Sequence, residues 1–549
     1  MNVGEAVAAS VARHGVTVCF GVLGNGNAEL VAPLASHGVR YVAARREDGA
    51  VAMADGCARA GGGVGLATVT LGPGVTNAIT AVTEATRAGT PIVVMTGETS
   101  DAASNQRFDQ RAVVAPTGAA YFEVGSAASC SATVADAFEH ATVHSCPVVI
   151  SVPVTLQSEP FEAALVGPRP AANASPLSAD PMQIAAAAAV LRESERPVLL
   201  AGRGAINSTG RAAVVRLASA SGALLATTIR SRGLFDDDPW SIGVGGGFGS
   251  LLARSVLAEA DCVVAFGASL NHYTTTRRTG FGSARVVHVD SDAANLGRWF
   301  TPELAVHGDA AFVANAMADL FEADLSSVRF RTTEIAARLG SHDRAGEFED
   351  ASDDRGGDLR AYALAFDDIL PTDRIVAVDV GHFTSEIVRY VSVTRPDRLV
   401  FAVNFGSVGL GLATGLGAAL AGTDSPVFAF VGDGGLMMSI QELETAARAQ
   451  IPLTVIVMND GGYGAEVHKL RSLGYGGELA RFDNPDLVAL AGVLGADALR
   501  VTSVQQLRES RDHLAATNGP LLVDVQLNPD VRTDWYGEQL ERKAVTPST

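Results

Sequence analysis

The stretch from Pro426 to Gly464 constrains the fold of this chain more than any other. Its apolar run Val427–Val431 is typical of a strand that is buried on both faces. A glycine-rich turn, a helical repeat of apolar residues and a second apolar run, Leu453–Met458, follow. A strand–helix–strand unit of this kind almost always contains two parallel strands. The sequence therefore predicts an α/β fold with parallel sheets.

Two aspartates stand where these strands end. Asp433 follows the first predicted strand, and Asp460 follows Asn459 at the end of the second. Because open α/β sheets bind ligands at the carboxyl edge of their strands, we expect the two carboxylates to lie close together at such a site. Carboxylate oxygens suit Mg2+, and backbone N–H groups at a glycine turn before a helix suit a phosphate. The alternative is a glycine-rich turn with solvated aspartates.

The Gly-Asp-Gly turn and the downstream Asn-Asp pair resemble the thiamine-diphosphate-binding motif of the family of acetolactate synthase, pyruvate and benzoylformate decarboxylase, and benzaldehyde lyase. The resemblance implies that Asp433, Asp460 and the backbone carbonyl of Gly462 bind Mg2+. The family usually closes this motif with Asn-Asn, so Asp460 supplies a carboxylate instead of an amide. The neighbouring residues that the resemblance places at the cofactor are Gly432, Gly434, Gly435 and Tyr463.

The resemblance covers nearly the whole chain and implies three doubly wound domains with mainly parallel six-stranded sheets. They are a pyrimidine-binding (PYR-type) domain over 1–165, a central domain over 182–342 and a diphosphate-binding (PP-type) domain over 359–535. A proline-rich linker between Pro153 and Pro181 separates the first two, and an acidic segment over 344–358 precedes the third.

Glu47 lies at the start of a predicted alanine-rich helix, next to two arginines. By itself this cluster is typical of a solvated surface. The surrounding residues resemble the family's glutamate motif, although Arg46 and Cys57 replace its histidine and tyrosine. The resemblance implies that Glu47 binds a ring nitrogen of the aminopyrimidine. A carboxyl group buried against an apolar ring has a raised pKa, so it can hold a proton near neutral pH.

Three further turns resemble cofactor-contacting segments. A helix-start turn is the alternative for the first of them, and an ordinary core valine is the alternative for the last. The contacts that the resemblance implies are Pro73 and Asn77 at the pyrimidine ring, His382 and Phe383 at the diphosphate, and the Gly406 carbonyl and the Val408 side chain at the bend between the two rings.

Three residues match positions near the substrate in the family. Asn25 lies in a glycine-rich loop, Gln110 lies in the loop over 97–111, and Glu466 follows the metal motif, where pyruvate-decarboxylase-like members have a catalytic glutamate. A turn amide, a solvated loop amide and an exposed helix charge remain the respective alternatives. The paired histidines of pyruvate decarboxylases are absent from the loop around Gln110, which favours carboligation over release of an aldehyde.

Composition narrows the functional class. The net charge of −19 argues against a nucleic-acid-binding protein. We expect a cytoplasmic protein without a signal peptide, a membrane span or a nucleic-acid partner, because the N-terminus lacks a basic and apolar leader pattern and no segment is typical of a span. The stretch over 267–278 lacks the arginine pattern of flavin-binding relatives, so FAD is compatible with the fold but not favoured.

The predicted function is that of a thiamine-diphosphate- and Mg2+-dependent carboligase or lyase that acts on a 2-keto acid or 2-hydroxyketone, similar to acetolactate synthase. A decarboxylase or lyase similar to benzoylformate decarboxylase or benzaldehyde lyase is the alternative. A cofactor-binding regulatory subunit without catalysis is an alternative of another class. Because the family places the cofactor between two chains, the resemblance implies a homodimer or homotetramer.

Overall fold

The computed structural model describes residues 1–169, 177–321, 328–515 and 518–545. Helices and strands alternate along the chain and form three six-stranded sheets. This confirms the prediction of an α/β protein with three doubly wound, mainly parallel sheets. Pro170 and Pro176 of the predicted proline-rich linker lie outside the described residues, and the domain boundaries at 1–165, 182–342 and 359–535 stay predictions.

The N-terminal sheet has the strand order β2-β1-β3-β4-β6-β5, and its paired strands are parallel. Its strands are β1 Val18–Gly21, β2 Arg40–Ala43, β3 Gly65–Val69, β4 Ile92–Glu98, β5 Ala120–Glu123 and β6 Val148–Pro153. The helices of this region are α1 Val3–Arg13, α2 Ala28–Val31, α3 Glu47–Gly61, α4 Pro73–Ala88, α5 Gln110–Val114, α6 Cys130–His144 and α7 Val154–Gln157.

The central sheet has a different order, β12-β11-β10-β7-β8-β9. Its strands are β7 Pro197–Ala201, β8 Leu224–Thr227, β9 Ser241–Val244, β10 Cys262–Phe266, β11 Arg285–Asp290 and β12 Leu304–His307. The helices of this region are α8 Pro181–Glu193, α9 Ser208–Ser221, α10 Leu251–Glu259, α11 Ala310–Phe321 and α12 Thr333–Gly340.

The C-terminal sheet has the order β14-β13-β15-β16-β18-β17, which repeats the N-terminal pattern. Its strands are β13 Ile375–Val378, β14 Leu399–Phe401, β15 Val427–Gly432, β16 Leu453–Asn459, β17 Asp497–Val501 and β18 Pro520–Gln526. The helices of this region are α13 Leu359–Ile369, α14 Thr384–Tyr390, α15 Gly411–Ala418, α16 Asp433–Ser439, α17 Gln441–Arg448, α18 Gly464–Ser472, α19 Leu487–Val493, α20 Val504–Glu509, α21 Arg511–Ala515 and α22 Asp534–Val545.

The chain divides into two compact units, and the N-terminal and C-terminal sheets belong to the same one. That unit comprises Met1–Pro170, Ala351–Thr384 and Val400–Arg532. Within it, helices α3 and α15 approach so closely that a Cβ on Gly56 would lie 1.9 Å from the Thr414 carbonyl oxygen. A Cβ on Gly417 would lie 1.9 Å from the Met53 carbonyl oxygen. Glycine is therefore required where the two helices cross, and the crossing shares one hydrophobic core.

The second unit comprises Ala171–Asp350, Ser385–Leu399 and Thr533–Thr549. In it, the Trp535 ring from the start of α22 stacks on Phe248 at 4.9 Å and on Tyr273 at 6.1 Å between ring centroids. A Cβ on Gly247 would lie 2.5 Å from the Trp535 indole nitrogen. The glycine-rich turn after β9 is therefore covered by the C-terminal segment.

One predicted helix differs from the structure. The repeat of Leu436, Ile440, Leu443 and Ala447 predicts a single amphipathic helix, but the chain forms α16 and α17 with a break at Ile440. The buried face of α17 also contains a carboxylate, Glu442, which is fully buried. The helical repeat of apolar residues alone could not reveal this burial, because the burial of Glu442 depends on hydrogen bonds from the N-terminal region. Within the part of the chain that the structure describes, no helix is long and apolar enough to span a membrane.

Candidate active site

The two aspartates of the metal motif lie at the carboxyl edge of adjacent parallel strands. Strands β15 and β16 pair in a register that places Gly432 opposite Met458, so Asp433 and Asp460 both leave the sheet at this edge. Burial and the neighbouring Asp433 carboxylate raise the pKa of Asp460 to about 8. Two carboxylates held together away from water favour a bound cation, which would stabilise both in the ionised form.

One carboxylate oxygen of Asp433 accepts a side-chain hydrogen bond, and the other has no hydrogen-bond partner of ordinary geometry among the described residues. The Nδ2 of Asn484 donates to Asp433 Oδ2 at 2.6 Å. The Oδ1 atom is buried and accepts no hydrogen bond of ordinary geometry from the described residues. Burial raises the pKa of Asp433, although the Asn484 hydrogen bond and the nearby backbone N–H groups of Gly434 and Gly462 favour the ionised form. An unsatisfied buried carboxylate oxygen is costly, and a metal ion at this position would remove the cost.

The backbone of Gly462 completes a third side of this site. A Cβ on Gly434 would lie 2.5 Å from the Tyr463 ring and 3.5 Å from the Gly462 carbonyl oxygen. The Tyr463 N–H donates to the Ala480 carbonyl at 2.8 Å, which fixes the loop that carries Gly462. Among the described residues, no group of three or more His, Cys, Asp or Glu side chains could hold a metal. The available donors are two carboxylates and one carbonyl, which is the sparse set that Mg2+ accepts.

The turn that carries Val408 packs against the start of α16. Gly406 and Gly409 have φ of +81° and +93°, which only glycine adopts readily. A Cβ on Gly435 would lie 3.2 Å from Val408 Cγ1, so the half-buried valine contacts the metal-motif helix directly. The turn therefore holds Val408 beside the predicted diphosphate site.

Asp379 fixes this turn and is a residue that the sequence did not reveal. It follows β13, is fully buried and accepts the Gly409 N–H at 3.0 Å and the Val380 N–H at 2.8 Å. A Cβ on Gly435 would lie 2.7 Å from its Oδ2. Burial raises the pKa of Asp379 to about 7, against the effect of these N–H groups. A polar residue directly after a buried strand was the only available signal.

His382 and Phe383 are both buried beside the site. The His382 and His468 rings lie 4.6 Å apart between centroids. Burial lowers the pKa of His382 to about 3 and that of His468 to about 4. Both rings are therefore neutral at pH 7. A Cβ on Gly432 would lie 3.3 Å from the Phe383 ring, so Phe383 packs under the first glycine of the metal motif.

Glu47 and Asn77 form a second group, at the edge of the N-terminal sheet. Glu47 is the first residue of α3 and is half-buried. The Nδ2 of Asn77, an exposed residue of α4, donates to Glu47 Oε2 at 3.0 Å. Pro73 is exposed at the first position of α4, the position where proline suits a helix. The two predicted pyrimidine contacts and the predicted activating carboxylate therefore lie on neighbouring helix starts.

The remaining predicted residues have different environments. Gln110 is buried, and its amide accepts the Gly72 N–H at 3.1 Å and donates to Glu98 Oε2 at 2.6 Å. Asn25 is exposed in its glycine-rich loop. Glu466 is exposed in the first turn of α18, and its charge is a smaller contribution to the raised pKa of Asp460 after burial and Asp433. Their contacts with cofactor or substrate stay predictions.

A buried ion network links the N-terminal region to the Val408 turn. Glu84 accepts the Asn404 N–H at 3.1 Å and the Phe405 N–H at 2.6 Å. Arg59 bridges Glu84 at 3.2 Å and Asp55 at 2.6 Å. Sequence reasoning missed this network because each residue, taken alone, is typical of a helix surface.

Three sequence models of the thiamine pyrophosphate enzyme family match the chain. The N-terminal TPP binding domain matches residues 1–115, the central domain matches 184–317 and the C-terminal TPP binding domain matches 379–525. The chain belongs to the thiamine pyrophosphate enzyme family. It is therefore a thiamine-diphosphate-dependent enzyme that forms or cleaves carbon–carbon bonds, as the sequence predicted.

Similar proteins in this family share about a quarter of their residues with the chain over nearly their full length. A probable acetolactate synthase large subunit of Methanocaldococcus jannaschii is 27% identical, over 96% of this chain and 92% of the relative. The acetolactate synthase isozyme 2 large subunit of Escherichia coli is 26% identical, over 96% of both chains. An acetolactate synthase large subunit of Corynebacterium glutamicum is 27% identical, over 97% of this chain and 88% of the relative.

Proposed function

We propose that the chain is a thiamine-diphosphate- and Mg2+-dependent carboligase or lyase that acts on 2-keto acids, with an activity similar to that of acetolactate synthase. The observation that carries the cofactor site is the buried, unsatisfied Oδ1 of Asp433 beside Asp460 and the Gly462 carbonyl. This donor set fits Mg2+, and the Mg2+ in turn would hold the diphosphate. The names of the relatives support the substrate class.

When bound, thiamine diphosphate supplies a carbanion that adds to a substrate carbonyl and a ring that takes up the resulting electrons. The chain's own residues bind and orient the cofactor and move protons. Asp433, Asp460 and the Gly462 carbonyl would hold Mg2+, while Val408 would support the bend between the two rings. Glu47, held by Asn77, would hold a proton at the pyrimidine ring.

A homodimer or homotetramer follows from the same proposal. Glu47 and Asp433 belong to two separate groups of residues in one chain, and the family places each cofactor between two chains. We therefore propose that Glu47 serves a cofactor held by the Asp433 group of a second copy. Sedimentation of the purified protein with and without thiamine diphosphate would test this, and a monomer at assay concentration would contradict it.

Decarboxylation or lysis similar to that of benzoylformate decarboxylase or benzaldehyde lyase is the second candidate. Glu466 favours it, because this exposed carboxylate acts electrostatically on Asp460 and in this proposal would protonate a reaction intermediate. An acetolactate-synthase-like outcome would instead require a second carbonyl compound that reacts with the intermediate before a proton does. Glu466→Gln separates the two, because it should slow aldehyde release more than carbon–carbon bond formation.

Flavin binding is not part of the proposal. The stretch over 267–278 contains Thr276, Arg277 and Arg278 with positive φ, and Trp535 covers Gly247 on the same unit. The absorption spectrum of the purified protein would contradict this part of the proposal if it contained the visible bands of a bound flavin.

The experiment that tests the proposed function is a screen of 2-keto acids, with pyruvate first, that measures both CO2 release and carbon–carbon products. Mg2+ and thiamine diphosphate are added, and Asp433→Asn serves as the inactive comparison. Exchange of the cofactor's C2 hydrogen for deuterium, measured in parallel, distinguishes an enzyme from a silent regulatory subunit. If the protein does not accelerate this exchange, the catalytic proposal is wrong.

A further inference from the structure

Glu442 is a buried carboxylate that neither the metal site nor the predicted catalytic residues explain. It lies on α17, directly after the break at Ile440, and is fully buried. Burying a carboxylate is costly unless hydrogen bonds compensate for the lost water. Its partners therefore indicate what the residue does.

These partners are backbone groups at the entrance to α3. Glu442 Oε1 accepts the Arg46 N–H at 3.0 Å and the Arg45 N–H at 3.1 Å. The Thr445 hydroxyl donates to the other oxygen, Oε2, at 2.8 Å. Both backbone donors lie within two residues of Glu47. A side chain of the C-terminal region thus holds the segment that leads into the Glu47 helix.

In its own sequence the helix start has Asp48, whose Oδ1 accepts the Gly49 N–H at 2.9 Å. The Arg45 and Arg46 N–H groups donate instead to Glu442, from outside the helix. Arg46 is the N-cap of α3 and makes no side-chain capping hydrogen bond. A Cβ on Gly49 would lie 2.6 Å from Glu442 Oε1, so the helix leaves space for the carboxylate at its first turn. Glu442 satisfies the N–H groups of the N-cap and of the residue before it, and an anion at a helix N-terminus interacts favourably with the helix dipole.

We propose that Glu442 is a positioning residue for Glu47, fixing the backbone at the start of α3 so that the Glu47 carboxyl group reaches the pyrimidine ring. The proposal rests on the proposed function for the role of Glu47. Glu442 holds the backbone of the segment, while Asn77 binds the Glu47 carboxylate itself at 3.0 Å. Catalytic geometry is sensitive to such support, since a misplacement of about 1 Å can cost roughly 100-fold in rate.

Three variants test the proposal. Glu442→Gln keeps the size of the side chain but removes its charge and one of the two acceptor oxygens, which bind the Arg45 and Arg46 N–H groups and the Thr445 hydroxyl. Thr445→Val removes only the hydroxyl that orients the carboxylate, and it remains informative if Glu442→Gln does not fold. Glu444→Gln is the matched control, because Glu444 lies on the same helix and binds the Arg45 side chain at 2.8 Å at the surface, not its backbone.

The first readout needs no cofactor. Amide hydrogen exchange of a peptide that covers residues 43–50 should be faster in Glu442→Gln and in Thr445→Val than in the wild type, and unchanged in Glu444→Gln. Unchanged exchange in both test variants would overturn the proposal. This arm tests the positioning role independently of whether the protein catalyses any reaction.

The second readout uses thiamine diphosphate with Mg2+. We expect C2 exchange of the bound cofactor to slow by roughly 10- to 100-fold in Glu442→Gln, with the dissociation constant changed by less than about threefold. In a Glu47→Gln background, the Glu442 substitution should add little, because both residues act through one carboxyl group. A fully additive effect would mean that Glu442 is only structural. Failure of the wild type to accelerate the exchange would instead contradict the proposed function.

Discussion

In the N-terminal sheet, the turn after β3 places Pro73 between two glycines, whereas the turn after the equivalent strand β15 places Asp433 between two glycines. The two sheets have the same strand order. The next strand, β4, ends at Glu98, which accepts hydrogen bonds from Gln110 at 2.6 Å and Tyr121 at 3.1 Å. Its counterpart β16 leads to Asp460, whose main charged neighbour is another carboxylate.

The two sheets share one topology but present different chemical groups at their carboxyl edges. The N-terminal edge has its carboxylate satisfied by the protein and presents apolar and amide groups, which suit an uncharged ring. The C-terminal edge keeps a buried carboxylate oxygen without a hydrogen bond, which would suit the Mg2+ that we propose there. In the proposed site, the same topology would therefore bind either half of one cofactor, depending on a few turn residues.

The largest expected effect is at Asp433. In Asp433→Asn the oxygen would stay with the Asn484 donor, so the amide NH2 would occupy the position that faces the cation. We expect the affinity for Mg2+ and thiamine diphosphate to fall by at least about 100-fold, measured by titration calorimetry.

Asp460→Asn is the informative partner of this variant, because an amide is the family's usual residue there and its oxygen is not committed to Asn484. We expect its affinity to remain within about tenfold of the wild type, and Pro73→Ala to change Mg2+ affinity less still. Equal losses of Mg2+ affinity in Asp433→Asn and Pro73→Ala would contradict the proposed difference between the two sheet edges.

Gly434→Ala tests the packing of the metal-motif turn. Its Cβ would lie 2.5 Å from the Tyr463 ring, so the ring must move. We expect a loss of about 1–3 kcal/mol in the free energy of unfolding, measured by denaturant titration. Gly63→Ala is the control, since a Cβ there meets nothing within 4 Å, and comparable losses in both variants would refute the packing argument.

Gln110→Leu tests the hydrogen bonds at the carboxyl edge of the N-terminal sheet. It removes the acceptor of the buried Gly72 N–H and one of the donors to Glu98, which keeps the Tyr121 hydroxyl as a donor. We expect a destabilisation of about 1–3 kcal/mol without a change in Mg2+ affinity. The exposed Gln505→Leu is the control; a larger effect on Mg2+ binding than on stability would show that the N-terminal edge also serves the cation.

Asp379→Asn should have the smallest effect on the free energy of unfolding, and the size of this effect should depend on pH. Because burial raises the pKa of Asp379 to about 7, the folded protein holds this proton below pH 7 while the unfolded chain releases it near its ordinary pKa. The stability that this group contributes is therefore present at low pH and lost as pH rises through 7. Asn imitates the protonated form and does not titrate. The stability of the variant relative to the wild type should therefore increase as pH rises from 5 to 8.

Denaturant titrations of the cofactor-free protein at both pH values measure this difference. Asp101→Asn, at an exposed position, should show none. If the stability difference between Asp379→Asn and the wild type does not change between pH 5 and pH 8, Asp379 is already ionised in the folded protein at pH 5 and the argument from burial is wrong.

The sequence predicted the fold and the metal motif because both depend on local patterns. Buried strands followed by glycine turns mark the position of Asp433 and Asp460, and parallel pairing brings them to one edge. Glu442 and Glu84 were missed for the opposite reason. Each lies on a helix where a carboxylate is usually solvated, and each is buried by backbone donors that are hundreds of residues away in the chain. Such pairing depends on tertiary contacts that no local period records.

All three tryptophans of the chain, Trp240, Trp299 and Trp535, belong to the unit that contains the central sheet. Intrinsic tryptophan emission therefore monitors that unit, and unfolding curves recorded by fluorescence alone would overlook events around Asp433 and Glu47. The other unit contains no tryptophan, so one tryptophan introduced near the Val408 turn would add a signal that reports on cofactor uptake in that unit.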